Sequence, residues 1–339
     1  MASFRGHRLF GIAVLISVLA AACGGAKSSA QPNGGGEDRT RLRLVTTVAP
    51  ITSIVAGVAG DLADVTGIVP EGTNSHTFEP PPSAAKVLSN ADVIFVNGLK
   101  LEDPIQDLAE GKLGRRAEIV ELGNETIRPE EYIFDFSFPR DQGKPNPHLW
   151  TSPPLAKQYG RVAAAVLARR DPTHAAEYRA NSERFAAKVD ELDAAMAQAT
   201  RTVPKPELLT YHDAYAYFAR HYGWKVIGAI QVSNFEEPTA KEVADLIGQV
   251  KAEGVAAVFG SEVFPSPVLA QIGRESGVRY VDVLRDDDLP GQPGQPEHSW
   301  LGLMRFDFIT MVKSLGGDAS ALEAVTVENT VPDKATYPQ

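Results

Sequence analysis

The chain has 339 residues, of which 43% are hydrophobic and 22% are charged, and its formal net charge at pH 7 is −10. A chain with this negative charge does not attract the phosphate backbone of nucleic acid, which excludes nucleic acid as a partner. The apolar content is sufficient for two hydrophobic cores of ordinary size, and a single cysteine excludes an internal disulfide.

The first 40 residues are typical of an exported, anchored protein. The chain begins with a short basic region, which is followed by an apolar run and then by small residues directly before Cys23. This order predicts a secretory signal peptide over residues 1–22. The pattern resembles a bacterial lipobox, in which the cysteine is lipid-modified; an ordinary signal with an incidental cysteine is the alternative. Residues 23–40 are rich in glycine, serine and charge, which predicts a flexible tether. We expect an extracytoplasmic lipoprotein, either on the outer face of the cell membrane or periplasmic.

Residues 41–170 alternate between strand and helix patterns. The predicted strands are Leu42–Val48, Ala63–Val69, Asp92–Val96 and Ala117–Leu122, with helices at Ile51–Gly60, Ser83–Leu88 and around Ile105–Leu108. This spacing is typical of parallel βαβ units with helices on both faces of the sheet. We therefore predict an N-terminal α/β lobe.

Residues 171–201 are predicted to form one long helix. Asp171 is suited to the N-cap, and Pro172 to the first turn. Apolar residues then recur on one helical stripe at Tyr178, Phe185, Val189, Leu192 and Met196. About thirty residues at 1.5 Å each give a helix of roughly 45 Å, long enough to link two lobes. A coiled-coil partner is the alternative, although the heptad signal is brief.

The same alternation returns in residues 202–339 and predicts a C-terminal α/β lobe. The predicted strands are Glu207–Tyr211, Lys225–Ile230, Ala256–Gly260 and Arg279–Val283, with helices at Ala214–His221, Thr239–Lys251 and Pro267–Ser276. The fold class is therefore α/β, with two lobes of mainly parallel strands joined by the long helix.

Three of the seven histidines lie where predicted strands give way to loops or helices. His76 follows the second strand, His148 precedes a helix, and His212 follows the first strand of the second lobe. Open α/β sheets bind ligands at the carboxyl ends of their strands, so we expect all three side chains to project into the cleft between the lobes.

Asp282, at the end of the last predicted strand, is the expected fourth donor. Three imidazoles and one carboxylate suit Zn(II), with Mn(II) and Fe(II) as weaker competitors. Each residue also has a structural alternative, because a histidine near a turn more often caps a helix or makes a hydrogen bond. Asp282 could cap the following turn, and the acidic run Asp286–Asp288 could solvate a loop.

Four blocks of sequence carry a family resemblance, namely Asn74–Glu102, Asn146–Trp150, Thr210–Trp224 and Glu236–Ile247. They resemble the zinc/manganese-type solute-binding proteins of bacterial ABC importers, and the similarity extends over most of Leu42 to Gly316. The resemblance implies two α/β lobes joined by one long helix, with the metal buried between them. It also implies a metal receptor, without enzymatic activity, that partners a membrane permease; we expect a monomer.

The resemblance implies ligands at His76, His148, His212 and Asp282. Glu262 matches a recurrent acid of the family, which gives it a supporting role or, alternatively, the fourth ligand position. Glu79 and Trp150 are further candidates for contacts that support the ligands.

Histidine rather than glutamate at His212 favours zinc over manganese, because imidazole is the softer donor. Many zinc-specific relatives carry a histidine-rich loop that Asp103–Pro147 lacks. Mn(II) or Fe(II) therefore stays an alternative cargo. The competing function is an extracytoplasmic zinc hydrolase with Glu262 or Glu79 as the base, although the chain has no HExxH motif.

Overall fold

The computed structural model describes residues 41–111, 117–231, 239–261 and 267–339. The strands are β1 Leu42–Thr46, β2 Ala63–Gly67, β3 Val93–Val96, β4 Glu118–Glu121, β5 Glu207–Thr210, β6 Lys225–Ala229, β7 Ala257–Ser261 and β8 Arg279–Leu284. The helices are α1 Ala49–Ala59, α2 Pro82–Ser89, α3 Asp103–Glu110, α4 Leu122–Thr126, α5 Pro153–Arg170, α6 Ala175–Thr200, α7 Ala216–Tyr222, α8 Ala240–Glu253, α9 Pro267–Ser276, α10 Trp300–Ser314 and α11 Ser320–Glu323. Within the described ranges, no helix combines the length and apolar character needed to cross a bilayer.

The first sheet has the strand order β2-β1-β3-β4, and all its neighbouring strands are parallel. Parallel strands require crossover connections, which α1, α2 and α3 supply. All four residues of β3, Val-Ile-Phe-Val, are buried, as expected for a strand covered on both faces. Strand β2 lies on one side of β1, and β3 lies on the other side. The strand order therefore reverses between β1 and β3.

The second sheet repeats this arrangement. Its order is β6-β5-β7-β8, and all its neighbouring strands are parallel. The strand order therefore reverses between β5 and β7, the position at which open α/β sheets bind ligands. The expected α/β class with two parallel sheets is confirmed.

Helix α6 connects the two halves, as the apolar stripe predicts. Its 26 residues give a length of about 39 Å, and the whole stripe from Tyr178 to Met196 is buried. The start of the helix differs from the expectation, since Asp171 precedes a short 3-10 turn. Its carboxylate accepts hydrogen bonds from His174 Nδ1 at 2.6 Å and from the Tyr178 hydroxyl at 3.0 Å.

The hydrophobic core is shared between the two sheets. One large cluster joins Val93 of the first sheet to Leu208 of the second through apolar side chains of α1, α5, α6 and α10. A smaller cluster lies on the opposite face of the second sheet, where Leu209, the next residue of β5, points. The two expected cores are thus unequal, and the larger one holds the two sheets against the same helices.

Candidate metal centre

Three histidines meet between the two sheets. His76 lies in the loop after β2, His148 immediately precedes a 3-10 turn that leads into α5, and His212 follows the last residue of β5 by two positions. The Thr151 hydroxyl lies 2.9 Å from the carbonyl oxygens of both His148 and Ala214. This contact holds the turn of His148 against the chain that follows His212.

The three Nε2 atoms form a small triangle. The distances are 3.1 Å between His76 and His148, 3.2 Å between His76 and His212, and 2.9 Å between His148 and His212. Within the described part of the chain, these residues are the one group of three or more His, Cys, Asp or Glu whose ligand atoms all lie within 4.8 Å of one another. Donors around a tetrahedral zinc ion at ~2.0–2.1 Å are about 3.3–3.4 Å apart, close to the sides of this triangle.

Hydrogen bonds to Nδ1 orient two of the rings. His148 Nδ1 lies 2.9 Å from Asn146 Oδ1, and His212 Nδ1 lies 2.6 Å from Gln231 Oε1. The Asn146 amide is itself oriented, because its nitrogen donates to the Asp135 carboxylate at 3.1 Å and to the Asp213 carbonyl at 2.7 Å. Nδ1 therefore carries the hydrogen in both rings, and each Nε2 presents a lone pair to the centre of the triangle.

The electrostatics keep these imidazoles neutral. Burial, and then the neighbouring histidines, lower the pKa of His76 and His148 well below the ordinary value of 6.5. Burial also lowers the pKa of His212. The lone pairs on Nε2 of His148 and His212 lie 2.9 Å apart and repel each other unless a cation lies between them, and the lowered pKa values make a proton a poor candidate. The arrangement therefore suits a metal ion that accepts imidazole nitrogen.

Two buried carboxylates lie beside the triangle, in the loop that follows β8. Asp286 Oδ2 is 3.5 Å from His212 Nε2, and Asp287 Oδ2 accepts a hydrogen bond from the Ser75 backbone N–H at 3.0 Å. The described residues give Asp286 Oδ2 and Asp287 Oδ1 no hydrogen-bond partner, although both atoms are buried. Burial raises the pKa of each carboxyl to about 7, because the charged form lacks solvation.

Asp282 does not join the histidines, contrary to the sequence prediction. Strand β8 continues to Leu284, so Asp282 lies within the strand and not at its end. Val281 and Leu284 are buried in the core, whereas Asp282 and Val283 between them are exposed, and the register between β7 and β8 shifts at this point. The acidic loop after β8, which the sequence allowed to be a solvated loop, supplies the carboxylates near the centre instead.

The three residues expected to support the ligands have different positions. Trp150 is buried with its ring centroid 5.1 Å from that of His148, and its indole nitrogen donates to the Asp286 carbonyl at 2.9 Å. Glu79 is exposed, which does not fit a supporting role. Glu262 lies outside the described residues, as does Cys23.

Sequence reasoning did not single out Asn146 and Gln231. Asn146 stands two residues before His148 in an Asn-Pro-His turn, a spacing that favours a side-chain bond to the following backbone and so offered a local signal. Gln231 lies 19 residues beyond His212 and reaches it only because β6 pairs with β5. Its role depends on tertiary structure.

Comparisons with known proteins identify the family of this chain. The family model described as zinc-uptake complex component A, periplasmic (ZnuA), matches residues 44–314. The manganese-binding lipoprotein MntA of Halalkalibacterium halodurans is 28% identical over 307 residues, 90% of this chain and 97% of its own length. The iron-binding protein YfeA of Yersinia pestis is 26% identical over 314 residues, 92% of this chain and 96% of its own length.

A solved structure supports the fold. The periplasmic zinc-binding protein TroA from Treponema pallidum has a TM-score of 0.74 and 24% identity, over 81% of this chain and 99% of that one. Since the family model spans most of the chain, and its relatives align over nearly their full length, the chain belongs to the periplasmic ZnuA family of metal-binding receptors for ABC importers.

Proposed function

We propose that this protein captures Zn(II) outside the cytoplasm and delivers it to the permease of an ABC importer. The observation that carries the proposal is the triangle of Nε2 atoms from His76, His148 and His212 between the two sheets, in which His148 and His212 are buried and oriented by Nδ1 hydrogen bonds. We assign the fourth donor to the Asp286–Asp287 pair. A closed set of three imidazoles and one carboxylate matches the tetrahedral preference of zinc.

The test is a competition titration of the purified protein with a chromophoric chelator. We expect one zinc ion per chain, bound more tightly than Mn(II) or Fe(II), because imidazole nitrogen favours zinc over the harder ions. Relatives named for manganese and iron make the other cargoes the alternative. Tighter binding of Mn(II) than of zinc would refute the assignment of zinc as the cargo.

His212→Glu is expected to move the preference toward Mn(II). The change replaces the softer imidazole by a hard carboxylate, and we expect the zinc-to-manganese affinity ratio to fall by roughly 10- to 100-fold. Competition between the two metals measures this ratio. His221→Glu, the same change at an exposed histidine, is the matched control. An unchanged ratio in His212→Glu would refute the argument from donor softness.

Metal binding is expected to weaken as the pH falls below about 7. In the metal-free site the raised pKa of Asp286 and Asp287 means that each carboxyl holds a proton below that pH. Metal must displace a proton from the coordinating carboxyl, so affinity should fall about tenfold per pH unit for each proton displaced. The histidines, whose pKa values are lowered, add to this loss only at more acidic pH. A zinc affinity that stays constant between pH 7.5 and pH 5.5, roughly the window set by these pKa values, would contradict carboxylate ligation.

We further propose that the protein is not an enzyme. A hydrolytic zinc ion keeps one coordination position open for water, whereas the proposed donors fill four positions. Glu79, one candidate base for a hydrolase, is exposed. The hydrolase alternative requires turnover of an ester or peptide by the zinc-loaded protein, and we expect none above that of free zinc.

The N-terminal assignments complete the proposal. Residues 1–22 serve as the signal peptide, Cys23 carries the lipid, and residues 23–40 form the tether. The lobes comprise residues 41–170 and 202–339, on either side of the helix over 171–201, and the receptor works as a monomer.

The lipid anchor is supported by the position of the lone cysteine, Cys23, directly after the apolar run and its small residues. Mass spectrometry of the N-terminal peptide from native membranes tests acylation, and an unmodified Cys23 would contradict it.

A further inference from the structure

An aromatic side chain covers one side of the metal centre. The ring centroid of Phe138 lies 5.6 Å from that of His76 and 5.7 Å from that of His148, and Phe138 is only 5% exposed. Phe136, two residues earlier, is 52% exposed. The segment therefore presents one phenylalanine to the ligands and another to solvent.

The hydrogen bonds of this segment fix its position over the centre. The Ser137 backbone N–H donates to Asp213 Oδ2 at 3.2 Å, and the Ser137 hydroxyl donates to the Gln231 carbonyl at 2.5 Å. Gln231 is the residue that holds His212 Nδ1, and the Asp135 carboxylate accepts a bond from Asn146, which holds His148 Nδ1. The residues that orient two ligands thus also hold the segment that carries Phe138.

The position of Phe138 bears on coordination number. Zinc with four protein donors is tetrahedral, whereas Mn(II) favours octahedral sites rich in oxygen and needs further ligands, often water. With three imidazoles and one carboxylate in place, the gaps between the histidine rings are among the routes by which an added water reaches the metal. Phe138 packs against both His76 and His148, so it occupies the approach between that pair.

We propose that Phe138 restricts the bound metal to four ligands, and thereby acts as a positioning residue that determines the preference for zinc. This inference rests on the proposed function. Its physical basis is that an apolar shell around a metal site controls the access of solvent to the metal. Ser137 contributes by fixing the segment to the half of the molecule that holds His212.

The test uses the full chain with Co(II) as a spectroscopic probe and a zinc-to-manganese competition. Four-coordinate Co(II) absorbs visible light far more strongly than five- or six-coordinate Co(II), so its spectrum reports an added water. Phe138→Ala is expected to weaken the visible bands and to lower the zinc-to-manganese affinity ratio by roughly tenfold. Phe138→Leu, which keeps a smaller apolar cover, is expected to change both readouts in the same direction by a smaller factor, and Phe136→Ala, at the exposed position, is expected to match the wild type.

A folding defect is controlled separately. Thermal unfolding of each metal-free variant is compared with the wild type, and Ser137→Ala loosens the segment by removing one hydroxyl. Ser137→Ala is expected to shift the Co(II) spectrum and the affinity ratio in the same direction as Phe138→Ala, by a smaller factor. A Phe138→Ala protein with the wild-type spectrum and ratio overturns the inference alone. A wild-type chain that binds neither Co(II) nor zinc overturns the proposed function.

Discussion

His148→Ala is expected to lower zinc affinity by about 100-fold or more. Four-ligand zinc sites bind with about 10–16 kcal/mol, so one ligand of four contributes roughly 2.5–4 kcal/mol. That free energy corresponds to a change in Kd on the order of 100-fold or several times more. His148 is buried, and its Nε2 lies within 3.1 Å of both other Nε2 atoms, so no other side chain can replace it without moving the turn.

Competition with a zinc chelator measures the loss. His221→Ala is the matched control, because His221 is exposed and takes no part in the metal centre. Its Nε2 lies 2.7 Å from a carboxylate oxygen of Asp193. Thermal unfolding of the metal-free proteins separates loss of ligation from loss of fold. Equal zinc affinities for the two histidine variants would contradict ligation by His148.

Removal of the fourth donor is expected to lower zinc affinity and to remove a loss of stability that the metal-free fold undergoes as the pH rises from about 4 to about 7. Asp286→Asn and Asp287→Asn each remove a carboxylate of the proposed pair, and we expect at least one to weaken zinc binding by about 100-fold. Asp282→Asn, at the exposed position of β8, is the control and should bind as the wild type does. The variant with the larger loss identifies the coordinating residue.

The same substitutions are expected to stabilise the metal-free protein at neutral pH, although they weaken zinc binding. Each pKa is raised by burial from 3.8 to about 7 in the folded protein, so the folded state holds protons that the unfolded state has released. The metal-free protein therefore loses stability as the pH rises from about 4 to about 7, and asparagine removes that loss. If Asp282→Asn weakened zinc binding more than either other variant, the assignment to the acidic pair would be wrong.

Much of the fold could be predicted from sequence because parallel strands covered on both faces are apolar and β-branched. Helix α9 has the predicted bounds, Pro267–Ser276, and β6 ends one residue before the predicted Ile230.

Helix α10 was not predicted. It is buried around most of its circumference, so it lacks the amphipathic period that identifies a surface helix. Its Ser299 cap, which accepts a bond from Gly302 N–H at 3.0 Å, was the available local signal.

The histidines of the candidate site could be predicted, whereas the nearby carboxylates could not. A histidine in the loop after a parallel strand lies at the ligand-binding edge of the sheet even if the last residue of the strand is predicted wrongly, because the loop directs its side chain there. The direction of Asp282 depends on strand register, and a shift of one residue reverses the face on which a side chain lies. The contacts of Phe138 and Gln231 depend on how the two sheets pack, which no local pattern specifies.

X-ray absorption at the zinc K-edge of the purified, zinc-loaded protein tests the central claim most directly. The three-histidine site predicts one zinc ion per chain with three imidazole nitrogens at ~2.0–2.1 Å and one carboxylate oxygen at ~2.0–2.2 Å. His148→Ala should lose one imidazole from that shell. A shell of six oxygen ligands, or one that His148→Ala leaves unchanged, would contradict the assignment.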